Sequence, residues 1–323
     1  MTGLFLICVL TAILLITIGL LRYNDQDKQT YKIMLLPKTM DETNGFWTSL
    51  TAGAQLGAEE LGAEITVQGS KSEEDVEGQI QYIEDGISQH PDAMVVAPCS
   101  YSETTEVLQK VVDNGIKLIL IDSVIDMDIA QGTVCTDNYE AGKELGEFTR
   151  TLITADSQIG IVAHVKGAST AIERERGMRD GLGEYEPQVM DVVFCGSSYD
   201  RAYALTVKML QQYPDMKVIM GTNEYSAVGA ARAVKDLGMK GQVKVVGFDN
   251  SVEEIQLMEE GVFQGIIIQK PFNIGYLGVD QAMKAINGQI EKKNLDSGCK
   301  LITKENMYED ENQRLLYPFT GQQ

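Results

Sequence analysis

Short apolar runs alternate with longer amphipathic stretches along most of this chain. Nine runs have the nearly continuous apolar character of strands that are buried on both faces of a sheet. They cover residues 32–36, 64–67, 93–97, 117–121, 158–163, 189–194, 217–220, 243–247 and 265–268. Between them, amphipathic stripes predict helices at 46–61, 76–87, 141–152, 202–210, 227–237 and 274–286. This alternation predicts an α/β architecture with parallel sheets, and the number of strands is too large for one ordinary lobe.

Length and charge narrow the functional classes. The chain has 323 residues, which favours two lobes that each bury their own core. Its formal net charge is -20, so a nucleic acid would be repelled and is not expected as a partner. The cysteines beyond the first segment lack C-x-x-C spacing, which predicts neither a zinc site nor a disulfide framework; they are Cys99, Cys135, Cys195 and Cys299. We expect no metal and no cofactor.

The first apolar segment, residues 3–21, carries no charge. At about 1.5 Å per residue it reaches roughly 28 Å, close to the hydrocarbon thickness of a bilayer. No basic residue precedes it, and the best cleavage site, around Gly19, is poor, which favours an uncleaved anchor. Arg22 and Lys28 follow the span and would favour the cytoplasm, although a long following domain is translocated largely regardless of such charges. We therefore expect an extracytoplasmic protein that residues 3–21 anchor to the plasma membrane.

Polar and aromatic side chains follow several of the predicted strands. In open parallel sheets, ligands bind beyond the carboxyl ends of the strands, so these positions are candidates for a binding site. The set consists of Asn44, Phe46, Trp47, Asp122, Asn223, Asp249 and Gln269. Carboxylates and amides suit sugar hydroxyls, and aromatic rings suit the apolar faces of a sugar ring. The set is poorly suited to catalysis.

Local sequence leaves a second interpretation open for each of these residues. Asp and Asn are frequent helix N-caps and turn residues, and a lone aromatic at a helix start is often part of a core. Tyr199 has the same ambiguity. Arg176 is flanked by glutamates, and its spacing alone indicates a solvated helix face.

A resemblance covers nearly the whole chain after the first segment. The phrases IMLLPKTMDETNGFWTSLTAGAQLGAEELG, PDAMVVAP, IKLILIDS, TDNYEAGKELGEF, GASTAIERERGMRDGL, GTNEYSAVGAARAVKDLG, VKVVGFDN and QKPFNIGYLGV occur in order between residues 32 and about 304. In order and spacing they resemble the ribose and galactose family of periplasmic binding proteins. The resemblance implies two Rossmann-like lobes with parallel sheets that a multi-strand hinge joins and that close around a monosaccharide.

The resemblance also implies a role for particular residues. Phe46 and Trp47 match the aromatic pair that stacks on the sugar, and Arg176 matches an arginine that forks toward sugar oxygens. The other implied ligand-binding residues are Asn44, Asp122, Tyr199, Asn223, Asp249 and Gln269. The sequence departs from the ribose-like pattern at Ser123, where the pattern has arginine. Lys38 is expected to supply a compensating positive donor, and ribose itself is in doubt as the ligand.

No Pro/Gly-rich linker divides the chain after residue 30, and the resemblance implies the lobe boundaries. Residues 1–30 form the anchor and linker, residues 31–136 plus 270–298 the first lobe, and residues 137–269 plus 299–307 the second. Residues 308–323 form a tail, expected to be a surface arm.

Several functions compete. The most favoured is delivery of a sugar to the permease of an ABC transporter, and the alternative is sensing, with docking on a membrane histidine kinase or a chemoreceptor. A LacI-like effector domain would need an N-terminal helix-turn-helix and a basic face. An NAD-dependent dehydrogenase would need G-x-G-x-x-G after the first strand, which this chain lacks. His90 is expected at the surface and His164 at a pocket rim, so we expect a binding protein and not an enzyme.

Overall fold

The computed structural model describes residues 30–291 and 293–317. Within them the chain forms two six-stranded sheets, each covered by helices on both faces. This is the two-lobe α/β fold with parallel sheets that the alternation of apolar runs and amphipathic stripes predicts.

The first sheet is entirely parallel. Its strand order is β11-β5-β4-β3-β1-β2. The strands are β1 (Lys32–Leu36), β2 (Glu64–Val67), β3 (Ala93–Val96), β4 (Lys117–Ile121), β5 (Gly132–Cys135) and β11 (Asn294–Asp296). Every residue of β3 is buried, as expected for a central strand that is covered on both faces.

The second sheet repeats this arrangement with one exception. Its order is β12-β10-β9-β8-β6-β7, and only the edge strand β12 is antiparallel to its neighbour. The strands are β6 (Gln158–Ala163), β7 (Val189–Phe194), β8 (Met216–Gly221), β9 (Lys244–Phe248), β10 (Phe263–Ile268) and β12 (Lys300–Thr303).

Helices complete both lobes. The first lobe contains α1 (Gly45–Leu61), α2 (Val76–Ser88), α3 (Thr105–Asp113) and α9 (Pro271–Ile286). The second contains α4 (Asn138–Arg150), α5 (Ser169–Leu182), α6 (Tyr199–Gln212), α7 (Glu224–Asp236), α8 (Val252–Glu259) and α10 (Asp310–Leu316), with a 3₁₀ helix at Gly183–Gln188. Successive β1 side chains enter opposite layers: Ile33 packs with α1 and α9, whereas Met34 packs with α2 and α3.

Helices α1 and α9 touch through their backbones. A Cβ atom on Gly275 would lie 1.9 Å from the Leu50 carbonyl oxygen, and one on Gly53 would lie 2.0 Å from that of Phe272. Only glycine permits this approach. The contact holds the second and third turns of α1 beside the start of α9. The first turn of α1 and the residue two positions before α9 carry candidate site residues.

Within residues 30–291 and 293–317, the chain passes between the sheets after β5, after β10 and after β11. Two of these passages run side by side, with the Ser297 amide donating to the Cys135 carbonyl at 2.9 Å. The hydroxyls of Thr136 and Ser297 lie 3.2 Å apart. Paired short crossings of this kind can serve as a hinge. The residue boundaries of the lobes stay a prediction.

The predicted span at residues 3–21 lies outside the described residues. Across residues 30–291 and 293–317, no helix has both the length and the apolar content that a membrane crossing requires. Residues 308–323 were expected to form a surface arm. Their first part instead contains helix α10, and Leu316 of this helix packs into the core of the second lobe.

Candidate functional site

The carboxyl ends of the strands in the two sheets face each other across a cavity. Side chains from both lobes line it: Lys38, Asn44, Phe46, Trp47, Glu73, Asp122, His164, Thr170, Arg174, Asn223, Tyr225, Asp249 and Gln269. Eight of these, including Lys38, were expected from the sequence as ligand-binding residues. Among them, Asp122, Asp249 and Gln269 directly follow strands that end at the same edge.

The aromatic wall is built by the start of α1. Asn44 caps this helix, its side-chain oxygen accepting hydrogen bonds from the backbone amides of Phe46 at 3.1 Å and Trp47 at 3.3 Å. Both rings are buried and meet edge to face, with centroids 5.0 Å apart. The Asn44 amide group donates across the cleft to Glu224 at 3.0 Å. Asn44 is therefore both a helix cap and a contact between lobes.

A buried ion pair forms the floor of the first lobe. The Lys38 ammonium lies 2.7 Å from the Asp122 carboxylate, and each side chain is only 4% exposed. Burial alone would lower the pKa of Lys38, but attraction to Asp122 and Glu73 outweighs it and the pKa is raised. Asp122 has a left-handed backbone, φ 60°, which turns its side chain at the strand end.

The arginine of the cavity is Arg174, and the expectation for Arg176 is corrected. Arg174 donates from Nε to Asn138 and from Nη1 to the Thr222 carbonyl, both at 2.8 Å. Arg176 has a side chain that is 58% exposed and pairs with Glu173 on the outer face of α5. Positions i and i+2 of an α-helix differ by about 200° around the helix axis, so Arg174 and Arg176 cannot face the same side of α5.

A pattern in the sequence could have identified Arg174. It shares one helix face with four buried residues at i+3, i+4, i+7 and i+8, which are Gly177, Met178, Gly181 and Leu182. Arg176 does not fall on that face.

Carboxylate and amide groups at three strand ends form the wall of the second lobe. Asp249, with φ 77°, accepts from the Gln269 amide at 2.6 Å and from the Glu224 backbone at 2.9 Å. Burial raises the pKa of Asp249, and the charge of Arg174 opposes this shift. Asn223 caps α7 while its amide nitrogen donates to Ser197 at 3.2 Å.

His164 is held between two threonine hydroxyls. One ring nitrogen lies 2.7 Å from Thr222 and the other 2.8 Å from Thr170. Burial, together with the charges of Arg174 and Lys38, holds the pKa of His164 well below its usual value. The residue expected at a pocket rim is thus a buried, neutral imidazole in the cavity wall.

Two further expectations change position. Tyr199 does not line the cavity; its hydroxyl donates to Glu224 from behind, and its ring packs on Tyr225 with centroids 4.7 Å apart. Ser123 is also outside the lining, and its hydroxyl donates to the Pro98 carbonyl at 2.8 Å.

Tyr225 takes the place at the cavity that was expected for Tyr199. Its hydroxyl donates across the cleft to Asp41 at 2.7 Å. It lies two positions after the strand-end residue Asn223, in the first turn of α7, so this position was accessible to the strand-end argument. Glu73 and Thr170 were also missed, because each lies in a polar stretch away from any apolar run.

The cavity walls are rich in hydrogen-bond donors and acceptors. Acidic, basic and amide groups provide acceptors and donors on facing walls, and a hydroxyl group can use both. Two aromatic rings provide an apolar surface beside them. The cavity therefore fits a small ligand that carries several hydroxyls.

Comparisons with known proteins agree with this description. A family model described as a periplasmic binding protein domain matches residues 33–290. The chain is 27% identical over 273 residues to the D-ribose/D-allose-binding protein of Pseudomonas aeruginosa, a match that covers 82% of this chain and 85% of that protein.

Solved structures are also similar. A sugar transporter from Clostridium phytofermentans is 42% identical with a TM-score of 0.81, and the match covers 85% of this chain and 100% of that one. An ABC transporter solute-binding protein from Agrobacterium vitis with bound D-fucose is 26% identical with a TM-score of 0.83, covering 88% and 100% of the two chains.

Proposed function

The chain belongs to the periplasmic binding protein family, and we propose that it binds one monosaccharide between its lobes and delivers it to the permease of an ABC transporter. The observation that carries this proposal is the cavity itself, where a pair of aromatic rings faces charged and amide groups from both lobes. The relatives from Pseudomonas and Agrobacterium, named for ribose or allose and bound to D-fucose, support a small sugar as the ligand. The protein acts by binding and release and carries out no reaction.

Each part of the cavity has a role in this proposal. Phe46 and Trp47 stack on the apolar face of the sugar ring. Arg174 donates hydrogen bonds from Nε and Nη1 to other residues of the protein. Its Nη2 has no hydrogen-bond partner among the described residues and can therefore donate to the ligand. Hydroxyls of the ligand meet the remaining polar residues: Asn44, Asp122, Asn223, Asp249 and Gln269.

Closure depends on the ligand because each lobe carries half of these groups. We assign residues 31–136 plus 270–298 to one body and residues 137–269 plus 299–307 to the other, with the crossings between them as the hinge. A matching sugar completes the hydrogen bonds of both halves and so favours the closed state. A sugar with a missing hydroxyl leaves a buried polar group unpaired, which costs about 1 to 3 kcal/mol.

The choice of sugar depends on the part of the cavity that contains the ion pair of Lys38 and Asp122. We propose that Lys38, which pairs with Asp122 at 2.7 Å, compensates for the arginine of the ribose-like pattern, since Ser123 donates to the Pro98 carbonyl and carries no charge. An ammonium is a point donor and does not fork as a guanidinium does. We therefore expect a preference that differs from that of ribose binders.

A thermal-shift screen of residues 31–323 against monosaccharides tests the proposal. A sugar present at about 100 times its Kd should add about 2.7 kcal/mol to the stability. The absence of any shift across the set would contradict sugar binding. Uptake of the sugar that binds should then be lost when the gene is disrupted; intact uptake would contradict delivery to a permease and favour sensing.

For localisation, we propose that residues 3–21 anchor the protein so that the lobes lie outside the cytoplasm. Their uncharged length supports this proposal. The full chain should sediment with membranes and be released only by detergent, whereas a chain that begins at residue 31 should be soluble. A mature protein whose N-terminus lies after residue 21 would show cleavage instead.

A further inference from the structure

Glu73 is a cavity carboxylate whose two oxygens contact different lobes. It lies in the loop between β2 and α2 and is 5% exposed. One oxygen accepts from Trp47 Nε1 at 2.7 Å, in its own lobe. The other accepts from the hydroxyl of Ser197, in the opposite lobe.

The contact with Trp47 fixes the orientation of a ring that lines the cavity. The indole has a single hydrogen-bond donor, and a buried Trp usually needs a partner for it. Burial raises the pKa of Glu73, while the charge of Lys38 and these two hydrogen bonds oppose the shift. With its donor bound to Glu73, the Trp47 ring cannot rotate freely between stacking orientations.

The contact with Ser197 depends on an unusual turn in the second lobe. Gly196 and Ser197 are both left-handed, with φ 57° and φ 51°. Such a conformation in a residue other than glycine is held by surrounding contacts and is frequent at functional sites. A Cβ atom on Gly196 would lie 1.9 Å from a Glu74 side-chain oxygen, so the turn approaches the Glu73 loop closely.

Ser197 also contacts the ligand-facing wall of its own lobe. Its hydroxyl oxygen accepts from the Asn223 amide at 3.2 Å while its hydrogen goes to Glu73. A continuous series of hydrogen bonds therefore joins Trp47, Glu73, Ser197 and Asn223 across the cleft. It contains an aromatic residue of one lobe and a polar residue of the other, both at the cavity.

We propose that Glu73 is a positioning residue that couples the orientation of the Trp47 ring to lobe closure through Ser197. The inference rests on the proposed sugar-binding function. In the open state Glu73 holds Trp47 alone; when the lobes close, its second oxygen receives the Ser197 hydroxyl. A correctly stacked sugar and a closed cleft then favour each other.

The chain offers a direct reporter, since Trp47 is its one tryptophan. In the ligand-free protein, Glu73→Ala should shift the Trp47 emission and increase its quenching by acrylamide, because the indole loses its acceptor. Glu73→Gln keeps one acceptor oxygen and should largely restore the wild-type emission. Glu77→Gln, which changes an exposed carboxyl in the following helix, is the matched control and should have no effect. Unchanged emission in Glu73→Ala would overturn the positioning role.

Affinity for the sugar identified by the screen tests the coupling. Glu73→Ala and Ser197→Ala should each weaken binding about tenfold, and Ser197→Ala should do so with the ligand-free emission of the wild type. The double variant should lose no more affinity than Glu73→Ala, because both changes break the same series of hydrogen bonds. Losses that multiply, or wild-type affinity in Ser197→Ala, would overturn the coupling.

The two proposals fail in different ways. If no sugar binds the wild-type protein, the proposed function fails, and the coupling to closure fails with it. The contact between Glu73 and Trp47 is then tested only by the Trp47 emission of the ligand-free variants.

Discussion

The buried ion pair of Lys38 and Asp122 affects both the stability of the fold and the binding of the ligand. Their charges lie 2.7 Å apart and both are almost fully removed from solvent. A pair of this kind adds little net stability compared with apolar residues of the same size, but the loss of one partner leaves an uncompensated buried charge. The pair is therefore expected to persist in the empty protein and to offer a preformed donor and acceptor to the ligand.

Replacing Lys38 should be far more damaging than replacing a surface lysine. Lys38→Met should lower the free energy of unfolding by about 3 to 5 kcal/mol, because Asp122 remains buried without its cation. Lys110→Met removes an exposed pair with Glu84 and serves as the control, which should stay close to the wild type. Urea denaturation measures both. Equal losses in the two variants would contradict the role of burial.

The two arginines of α5 give a matched pair for testing the site. Arg174→Lys should weaken sugar binding about tenfold to a hundredfold, because lysine cannot reproduce a guanidinium that bonds to the protein and the ligand at once. Arg176→Lys should leave the affinity within about twofold, as is usual for a surface substitution. Isothermal titration calorimetry compares them. The reverse pattern would restore the expectation for Arg176.

At the scale of elements, the crossing of α1 and α9 positions the aromatic wall. The first turn of α1 carries Phe46 and Trp47, and α9 begins two residues after Gln269. Backbone contact at Gly275 and Gly53 sets the distance between the helices. Any side chain at the crossing would displace one wall of the cavity relative to another.

A methyl group at this crossing should cost stability. In Gly275→Ala the new Cβ would lie 1.9 Å from the Leu50 carbonyl oxygen, so the helices must separate. We expect a loss of about 1 to 3 kcal/mol in the free energy of unfolding, measured by urea denaturation.

Gly45→Ala provides the control in the first turn of α1. The nearest atom to its Cβ would be the Asn250 carbonyl oxygen at 3.9 Å, an ordinary contact. This variant should stay within about 0.5 kcal/mol of the wild type. Alanine has a higher helix propensity than glycine, so a loss in Gly275→Ala cannot come from propensity. An equal loss in both variants, or no loss in Gly275→Ala, would contradict the role of the crossing.

At the scale of the whole molecule, the lobes meet through polar contacts. Besides Glu73 with Ser197, these include Asn44 with Glu224, Asp41 with Tyr225, Lys38 with Thr170 and Glu74 with Arg201. Polar contacts between lobes can form and break with little penalty in water, unlike a continuous apolar interface. This composition suits a cleft that opens and closes.

Stability should depend on pH through Glu224. Burial raises the pKa of Glu224 to about 7 from an ordinary value of 4.5, with the Tyr199 hydrogen bond opposing and the Asp249 charge adding to the shift. The folded state therefore binds more protons than the unfolded state between these values. Its stabilising contribution is complete below pH 4.5 and is lost as the pH rises through about 7.

The variant Glu224→Gln isolates this effect, because other buried carboxyls remain in both proteins. The unfolding free energy of the wild type should fall relative to that of the variant between pH 4.5 and about 7. Urea denaturation across this range gives the comparison. A difference that stays constant with pH would contradict the assignment to Glu224.

The amino-acid pattern was sufficient for the two-lobe α/β fold, and together with the family resemblance it predicted eight of the cavity residues. Parallel sheets bury their strands on both faces, so apolar runs mark them directly, and their carboxyl ends meet at one edge. For this reason Asp122, Asn223, Asp249 and Gln269 could be assigned to one site from their positions after strands. Asn44 shows that the cap and site interpretations are compatible, since its oxygen and its nitrogen serve different partners.

The orientation of helices and the reach of loops required the folded molecule. The helical period separates Arg174 from Arg176 onto different faces of α5, but only the packing of α5 against its neighbours shows that the face of Arg174 borders the cavity. Tyr225 occupies the place expected for Tyr199 for a similar reason, because α6 and α7 pack together and Tyr225 is the one of the two that lines the cavity. Glu73 follows no apolar run, so its place between Trp47 and Ser197 exists only when two lobes distant in sequence meet. The hydrophobic period of a sequence specifies which side chains share one face of a helix or strand. Contacts between different helices, strands and loops depend on how the whole chain packs.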